Sequence, residues 1–392
     1  MAYYSIFPEK DTTIYSHPDR TDMNTGRDEI LELVEEKKSV GDVYFPSRIL
    51  IKFKNTDIKD VIEKKFTGTA KEVNTNNCQI NLRLYSTEHK SLATDHTVEV
   101  YALSQSFDEG TQRYSATPPS STSGSFQAAN GATWIYRTRS TGSKWITSSF
   151  GDGATGSFTK QAGGGVWYTG SNFKGTQDFQ AAPDDLDLDV DVTTIIQKFS
   201  ASYYQDASYP LGLTNNGFII KKTDIVEQDN FGFGELKYFS TDTHTIYPPK
   251  LTFKWDDSSY SPKTGATTLS SGDIFLELYN NKATFQRKSK QRFRLTTRKR
   301  YPDRTFTTSS NYLNIQYLPQ TSYYSVRDAE TDEVIIPFDT EYTKLSADND
   351  GMYFDLFMEG FQPERYYKLM FRVDNNDGIH IHDEDYFFKI IR

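Results

Sequence analysis

Cys78 is the single cysteine in 392 residues, so no disulfide can close within the chain and a cysteine metal site is excluded. In "NCQINLRLY" it opens an apolar strand pattern, a place suited to a small buried hydrophobe. No apolar run approaches the roughly 20 residues that a membrane-spanning helix needs. The opening "MAYYSIFPEKD" lacks the basic and apolar regions of a signal peptide, which predicts a protein made and used without Sec export. Enzyme signatures are missing too: there is no G-x-S-x-G elbow, H-E-x-x-H pair or P-loop spacing. The glycines of "NFGFGELKYF" (Asn230–Phe239) fall between strands, not before a helix. A carboxylate pair for glycoside hydrolysis comes from distant strands and leaves no local mark. Asp108 and Glu109, in an acidic turn, are its nearest candidates, although turn-fixing carboxylates are the commoner case. Basic charge is in deficit, 44 Lys and Arg against 53 Asp and Glu for a net charge of -9, which argues against a general nucleic-acid binder.

Aromatics are abundant, with 26 Tyr and 27 Phe inside an aromatic fraction of 15%, and with Thr, Val and Ile they suit a half-buried pleated surface. Period-two or wholly apolar runs of strand length recur in "SRILIKF", "INLRLY", "TVEVYAL", "GFIIKKT" and "PKLTFKW". "GRDEILELVEEKK" (Gly26–Lys38) has helical composition, but no helical apolar stripe continues beyond Val34, so a strand is expected. Helical turns are expected at "NTDIKDVIEKKF" (Asn55–Phe66), capped at Asn55 or Thr56, and at "VTTIIQKFSASYY" (Val192–Tyr204). The chain is too long for one ordinary core, so two domains are expected, 1–260 and 268–392, separated by the turn-rich stretch "WDDSSYSPKTGATTLSSGD". Within the first, a Ser/Gly-rich excursion at 115–182 carries Trp134, Trp145 and Trp167 and is expected to pack against the sheet. The second holds about seven short strand patterns, the spacing of an immunoglobulin-like sandwich.

"PDDLDLDVDVTTII" (Pro183–Ile196) places five aspartates within eight residues, either a chelating cluster or the wet face of a strand. Alternation sends Leu186, Leu188, Val190 and Val192 to one face and Asp185, Asp187, Asp189 and Asp191 to the other. At a rise of about 3.3 Å per residue, successive carboxylates stand roughly 6.5–7 Å apart, too far to converge on one ion. A solvated face is the reading favoured, with a site open only at the ends, where Asp184 or Asp191 meets a loop carbonyl. The same carboxylates discourage edge pairing.

Three further groups are candidates for contact. The run "RKSKQRFRLTTRKRYPDR" (Arg287–Arg304) alternates as a strand, and Arg292, Arg294, Arg298, Lys299 and Arg300 suit docking against an acidic neighbouring subunit better than nucleic acid. Trp134, Trp145, Trp167 and Tyr168 are candidate glycan contacts, with buried anchoring of the excursion as the competing role. The stretch "DNNDGIHIHDED" (Asp374–Asp385) fails as a calcium loop, because aligning Gly378 with the obligatory glycine puts Val373 at the first ligand position. "NNDGI" reads as a hairpin turn with Gly378 at positive φ, which leaves His380 and His382 on one strand face as a candidate transition-metal pair. No cofactor is implied.

The ordered set "DTTIYS", "NTGRDEILEL", "SRILIKF" with "DIKDVI", "INLRLYSTEH", "VEVYALSQSFDEGT", "LDVDVTTIIQKF", "NNGFIIKK" and "YPPKLTFKW" resembles the DNRLRE-type family across residues 10–257. That resemblance implies a jelly-roll-like β-sandwich related to carbohydrate-binding modules. The strings "FPEKDTTIYSHPDRTDMNTG", "STDTHTIYPPKLTFKWDDSS", "YYSVRDAETDEVIIPFD" and "EGFQPERYYKLMF" resemble virion structural proteins of contractile-tailed marine phages, cyanophages especially. The chain is therefore expected to be all-β, with an N-terminal jelly-roll-like sandwich and a C-terminal immunoglobulin-like one. The resemblance implies a non-enzymatic tail, baseplate or neck component that binds other virion proteins in a symmetric assembly, with no membrane span, located in the virion. The rival expectation is a glycan-binding module for a host surface.

Overall fold

The computed structural model describes residues 2–37, 43–64, 73, 78–87, 92, 95–115, 127–145, 163–181, 186–204, 212–229, 234–270, 273–279, 281–301 and 315–392. The chain is all-β, as its alternation predicts. It forms two compact units, Ile6–Thr252, and Phe253–Arg392 joined by Met1–Ser5. The first five residues therefore depart from the expected boundary. Burial explains this: Tyr3 is part of the C-terminal core, and the Tyr4 ring meets Phe357 edge-on at 6.0 Å.

In the N-terminal unit the main sheet runs Lys174–Phe179, His96–Ala102, Phe218–Lys222, Tyr44–Phe53, Pro8–Tyr15. Each of these neighbours is antiparallel. Tyr44–Phe53, which contains "SRILIKF", sits inside this order and is buried on both faces, hence its nearly continuous apolar run. A second sheet places Cys78–Leu84 between Lys250–Trp255 and Leu188–Asp191. "EILELVEEK" is extended as expected, giving strands Ile30–Leu33 and Glu35–Lys37. Both expected helices form, Asn55–Lys64 and Thr193–Tyr204, and a short third, Asp224–Gln228, was not foreseen. Cys78 is buried.

The C-terminal unit is a sandwich. One sheet orders Thr267–Thr268, Gln316–Tyr317, Lys290–Lys299, Gly351–Phe357 and Ser346–Asp348, with Ile274–Tyr279 also pairing to Lys290–Lys299. The other orders Thr284–Gln286, Gly378–Ile391, Tyr366–Asn375, Ser322–Asp328 and Val334–Ile336. One apolar core draws Leu276, Phe293, Leu295 and Phe354 from the first sheet and Tyr324, Leu369, Phe371, Val373 and Phe388 from the second. The rings of Phe354, Tyr324 and Phe293 stack at 4.5 and 5.2 Å, which accounts for part of the aromatic surplus. Among the described residues, no helix is long and apolar enough to cross a membrane.

Candidate functional site

Three of the four aromatic residues named as glycan contacts are interior. Trp134, Trp145 and Trp167 are 0%, 6% and 3% exposed and share a core with Ile14, Leu50, Leu103 and Ile219 of the main sheet. A buried ring has no face to offer a sugar, so the anchoring role is the correct one and only half-buried Tyr168 reaches solvent. What the rings surround is a charge. Arg48, wholly buried within the strand Tyr44–Phe53, lies 4.8 Å from the Trp134 ring and 5.0 Å from the Trp167 ring. Its Nε and Nη2 donate to the Glu227 carboxylate at 3.0 and 2.6 Å, and Nη1 donates to the Gly164 carbonyl at 2.7 Å. Buried Lys221 joins the same carboxylate at 3.5 Å, with Asp224 at 2.7 Å and Glu99 at 3.7 Å. This network ties the end of the excursion to the sheet and to the unforeseen helix, with the Arg48, Lys221 and Glu227 side chains all buried. An arginine inside the apolar run "SRILIKF" was its one sign in the sequence.

The acidic turn proves structural as well. Asn24 Nδ2 donates to the carbonyls of Glu109 and Ala132 at 2.7 and 2.9 Å, while its Oδ1 accepts from Gly26 and Gln112. Gly110, at φ +91°, presses so close that a Cβ there would lie 2.1 Å from Asn24 Oδ1. Glu109 Oε1 accepts the backbone N–H of Asp11 at 3.3 Å, and Lys10 Nζ donates to the Phe107 carbonyl. Asp11 is the surprise. It accepts from the N–H and hydroxyl of Thr241 at 2.8 and 2.6 Å, yet burial, seconded by the Glu109 and Asp242 charges, pushes its carboxyl up to about 7. Asp108 is exposed and donates its N–H to the Arg137 carbonyl, so both candidate acids take part in fixing the turn.

The aspartate-rich strand alternates as its sequence predicts, with Leu186, Leu188, Val190 and Val192 buried and Asp187, Asp189 and Asp191 outward. Each of these three carboxylates has a local partner. Asp187 accepts from Ser86 N–H at 2.8 Å, Asp189 from Asn81 at 2.8 Å, and Asp191 from the N–H and hydroxyl of Thr193 at the start of the helix. Asp184 and Asp185 lie outside the described residues.

The basic run is largely neutralised within its own sheet. Arg292 forks onto Asp355 at 2.8 and 3.0 Å, and Arg294 forks onto Asp348 at 2.9 and 2.8 Å. Arg298 lies 4.3 Å over the Phe275 ring, its partner in the strand ladder. Arg292 and Arg294 are thus matched by acids brought alongside through strand pairing, Asp355 and Asp348. Lys299 and Arg300 are exposed at its end.

Arg300 is brought together with His380 and His382, which the sequence had kept in separate groups. A groove of about 490 Å³ is lined by Asp273, Ile274 and Arg300 on one side and by residues 379–384 on the other. Its cause is an inverted strand. The turn at Gly378, φ +130°, starts Gly378–Ile391, and the register sets His380 against Val373 and His382 against Phe371. Val373 and Phe371 are core residues, so the two imidazoles occupy core-facing positions. Ile379 and Ile381 point outward beside Asp374 and Arg372 and stand 63% and 59% exposed. Along its other side this strand is laddered only at Lys389–Ile391, by Thr284–Gln286, so among the described residues 378–386 form an open edge. A bulge interrupts the register between His382 and Tyr386, with Asp385 at φ +54°. Among the described residues, His382 Nε2 is buried without a hydrogen-bond partner. Burial holds the ring below its ordinary 6.5, with the Glu384 charge opposing and His380 reinforcing. Within one chain, among the described residues, no three His, Cys, Asp or Glu side chains gather as an ion requires.

The sequence matches no known family model and no curated protein. Two solved structures align over most of its length. The adhesin domain of Epf from Streptococcus pyogenes shares 9% identity over 98% of each chain, with a TM-score of 0.15. A DUF4785 family protein from Legionella pneumophila shares 8% identity over 100% of this chain and 68% of that one, with a TM-score of 0.18. Similarity this slight leaves function to be read from the residues.

Proposed function

We propose that the protein is a non-enzymatic assembly component of a contractile-tailed phage particle, joined to its neighbours through β-surfaces. The open edge of the C-terminal sandwich would be a principal contact. One observation carries the docking role: a strand edge unladdered among the described residues and bearing two outward isoleucines, an arrangement that soluble β-proteins ordinarily blunt with charge, proline or a covering segment. Extended partners add to such an edge by main-chain hydrogen bonds, with side-chain pockets giving selectivity. Against hydrolysis stands the local engagement of the acidic residues singled out from the sequence: Glu109 accepts from the Asp11 N–H, Asp187 from the Ser86 N–H and Asp189 from Asn81. Placement in a virion rests on the sequence resemblance.

Immunogold labelling of purified contractile-tailed marine phage particles, with antibodies raised against this chain, tests the placement. Label at the tail, baseplate or neck upholds it, and particles free of label together with label confined to host cells refute it. Turnover of host polysaccharides by the purified protein would overturn the non-enzymatic reading. Glycan binding loses its main support with the tryptophans buried, and a glycan array showing hits abolished by Tyr168→Ala would restore it.

A further inference from the structure

The open edge also specifies what can lie against it. An added strand must turn apolar side chains outward, to cover Ile379 and Ile381, and polar ones inward, beside His380, His382, Asp273, Glu384 and Arg300. That is the inverse of an ordinary sandwich strand, and it is the pattern of "GIHIH", Gly378–His382, itself. We infer that the occupant is a second copy of this chain, paired antiparallel edge to edge about a two-fold axis at His380. This deepens the docking role proposed above and rests on it.

Two-fold pairing of a strand with itself keeps both copies' faces aligned only when the axis passes through a residue position. Centred on His380, the axis sets Ile379 against the partner's Ile381 twice, which makes a patch of four isoleucines on the outer face. Centred on Ile381 or His382, it would set isoleucines against Asp383 or Asp385. Charge agrees with the first choice. No carboxylate, lysine or arginine falls in the paired window, Gly378–His382, and flanking Asp383 is neutralised by Lys368 at 2.7 Å. The bulge between His382 and Tyr386 ends the regular ladder there, which limits the pairing to a short window. A five-residue contact is well below the roughly 1,200 Å² of a stable standard interface, so the pairing is weak in isolation and strengthened where copies are concentrated.

The test is sedimentation velocity on the full chain from about 1 to about 300 µM at neutral pH. The expected result is a concentration-dependent dimer that weakens at least tenfold in Ile381→Lys and is unchanged in Ile225→Lys, an 81% exposed isoleucine in the other unit. Register is read separately by cysteine cross-linking, against a silent background because Cys78 is buried. His380→Cys places two thiols on directly opposite residues, about 4.5–5.5 Å between Cβ atoms, and should oxidise to a covalent dimer. Glu384→Cys, four positions from the axis, should not. A monomer at every concentration, a dimer indifferent to Ile381→Lys, or equal linking by both cysteines each overturns the inference. Those outcomes leave the particle-labelling result standing, so the two readings fail independently.

Discussion

Replacing Asp11 by Asn should make the N-terminal unit more stable at neutral pH and flatten its dependence on pH. Burial pushes the folded carboxyl from its ordinary 3.8 up to about 7. At about 1.4 kcal/mol per unit, holding Asp11 ionised in the folded state costs about 4 kcal/mol. The raised value means that the folded state binds the proton more tightly than the unfolded chain does. Stability from this group is therefore complete below about pH 4 and is lost as pH climbs through about 7. Asn retains an acceptor for the N–H and hydroxyl of Thr241, and it removes the charge that burial, Glu109 and Asp242 oppose. Urea denaturation between pH 4.5 and 8 checks this. Tryptophan fluorescence is a suitable signal, since buried Trp134, Trp145 and Trp167 all report on this unit. The quantity to compare is wild type minus Asp11→Asn at each pH, because Asp22, Asp28 and Glu36 are raised by burial too and slope both curves alike. Parallel wild-type and variant curves, or a variant less stable at pH 8, would refute the reasoning.

Glu227→Gln strands Arg48 and Lys221 in the interior and should cost about 3–5 kcal/mol in the same denaturation assay, with Arg48→Met in combination recovering much of the loss. Gly110→Ala meets both an unfavourable φ of +91° and Asn24 Oδ1 at 2.1 Å, so its melting temperature should fall. Gly142→Ala, at φ +68° with open space around it, should fall far less in a thermal melt. His382 should titrate below 6.5 by NMR, and the C-terminal unit should lose stability as pH drops through that lower midpoint. A midpoint above 6.5 would contradict the half-buried, core-facing placement of the ring.

Periodicity alone located most of the strands and both long helices. It also settled the aspartate-rich stretch, because alternation at a fixed rise separates Leu186, Leu188, Val190 and Val192 from Asp187, Asp189 and Asp191 whatever they pack against. The aromatic excursion was legible as packed structure for the same kind of reason: three tryptophans cannot be left in water at no cost. The destination of the basic run was not legible. Arg292 and Arg294 were visibly outward, but the acids opposite them, Asp355 and Asp348, lie more than 50 residues away and meet them only through strand pairing.

The groove shows where the limit falls. From "GIHIH" the sequence by itself determined that the isoleucines and the histidines take opposite faces. It could not determine which face meets the core, and hydrophobicity alone would have turned the isoleucines inward. Tertiary structure decided otherwise, by pairing His380 with Val373 and His382 with Phe371. The physical reason is that side-chain period is local, whereas register is set by the hairpin turn and the neighbouring strand, and one residue of slip exchanges the two faces. That choice left two isoleucines in water, two imidazoles at the rim of the core, and an edge open to a partner.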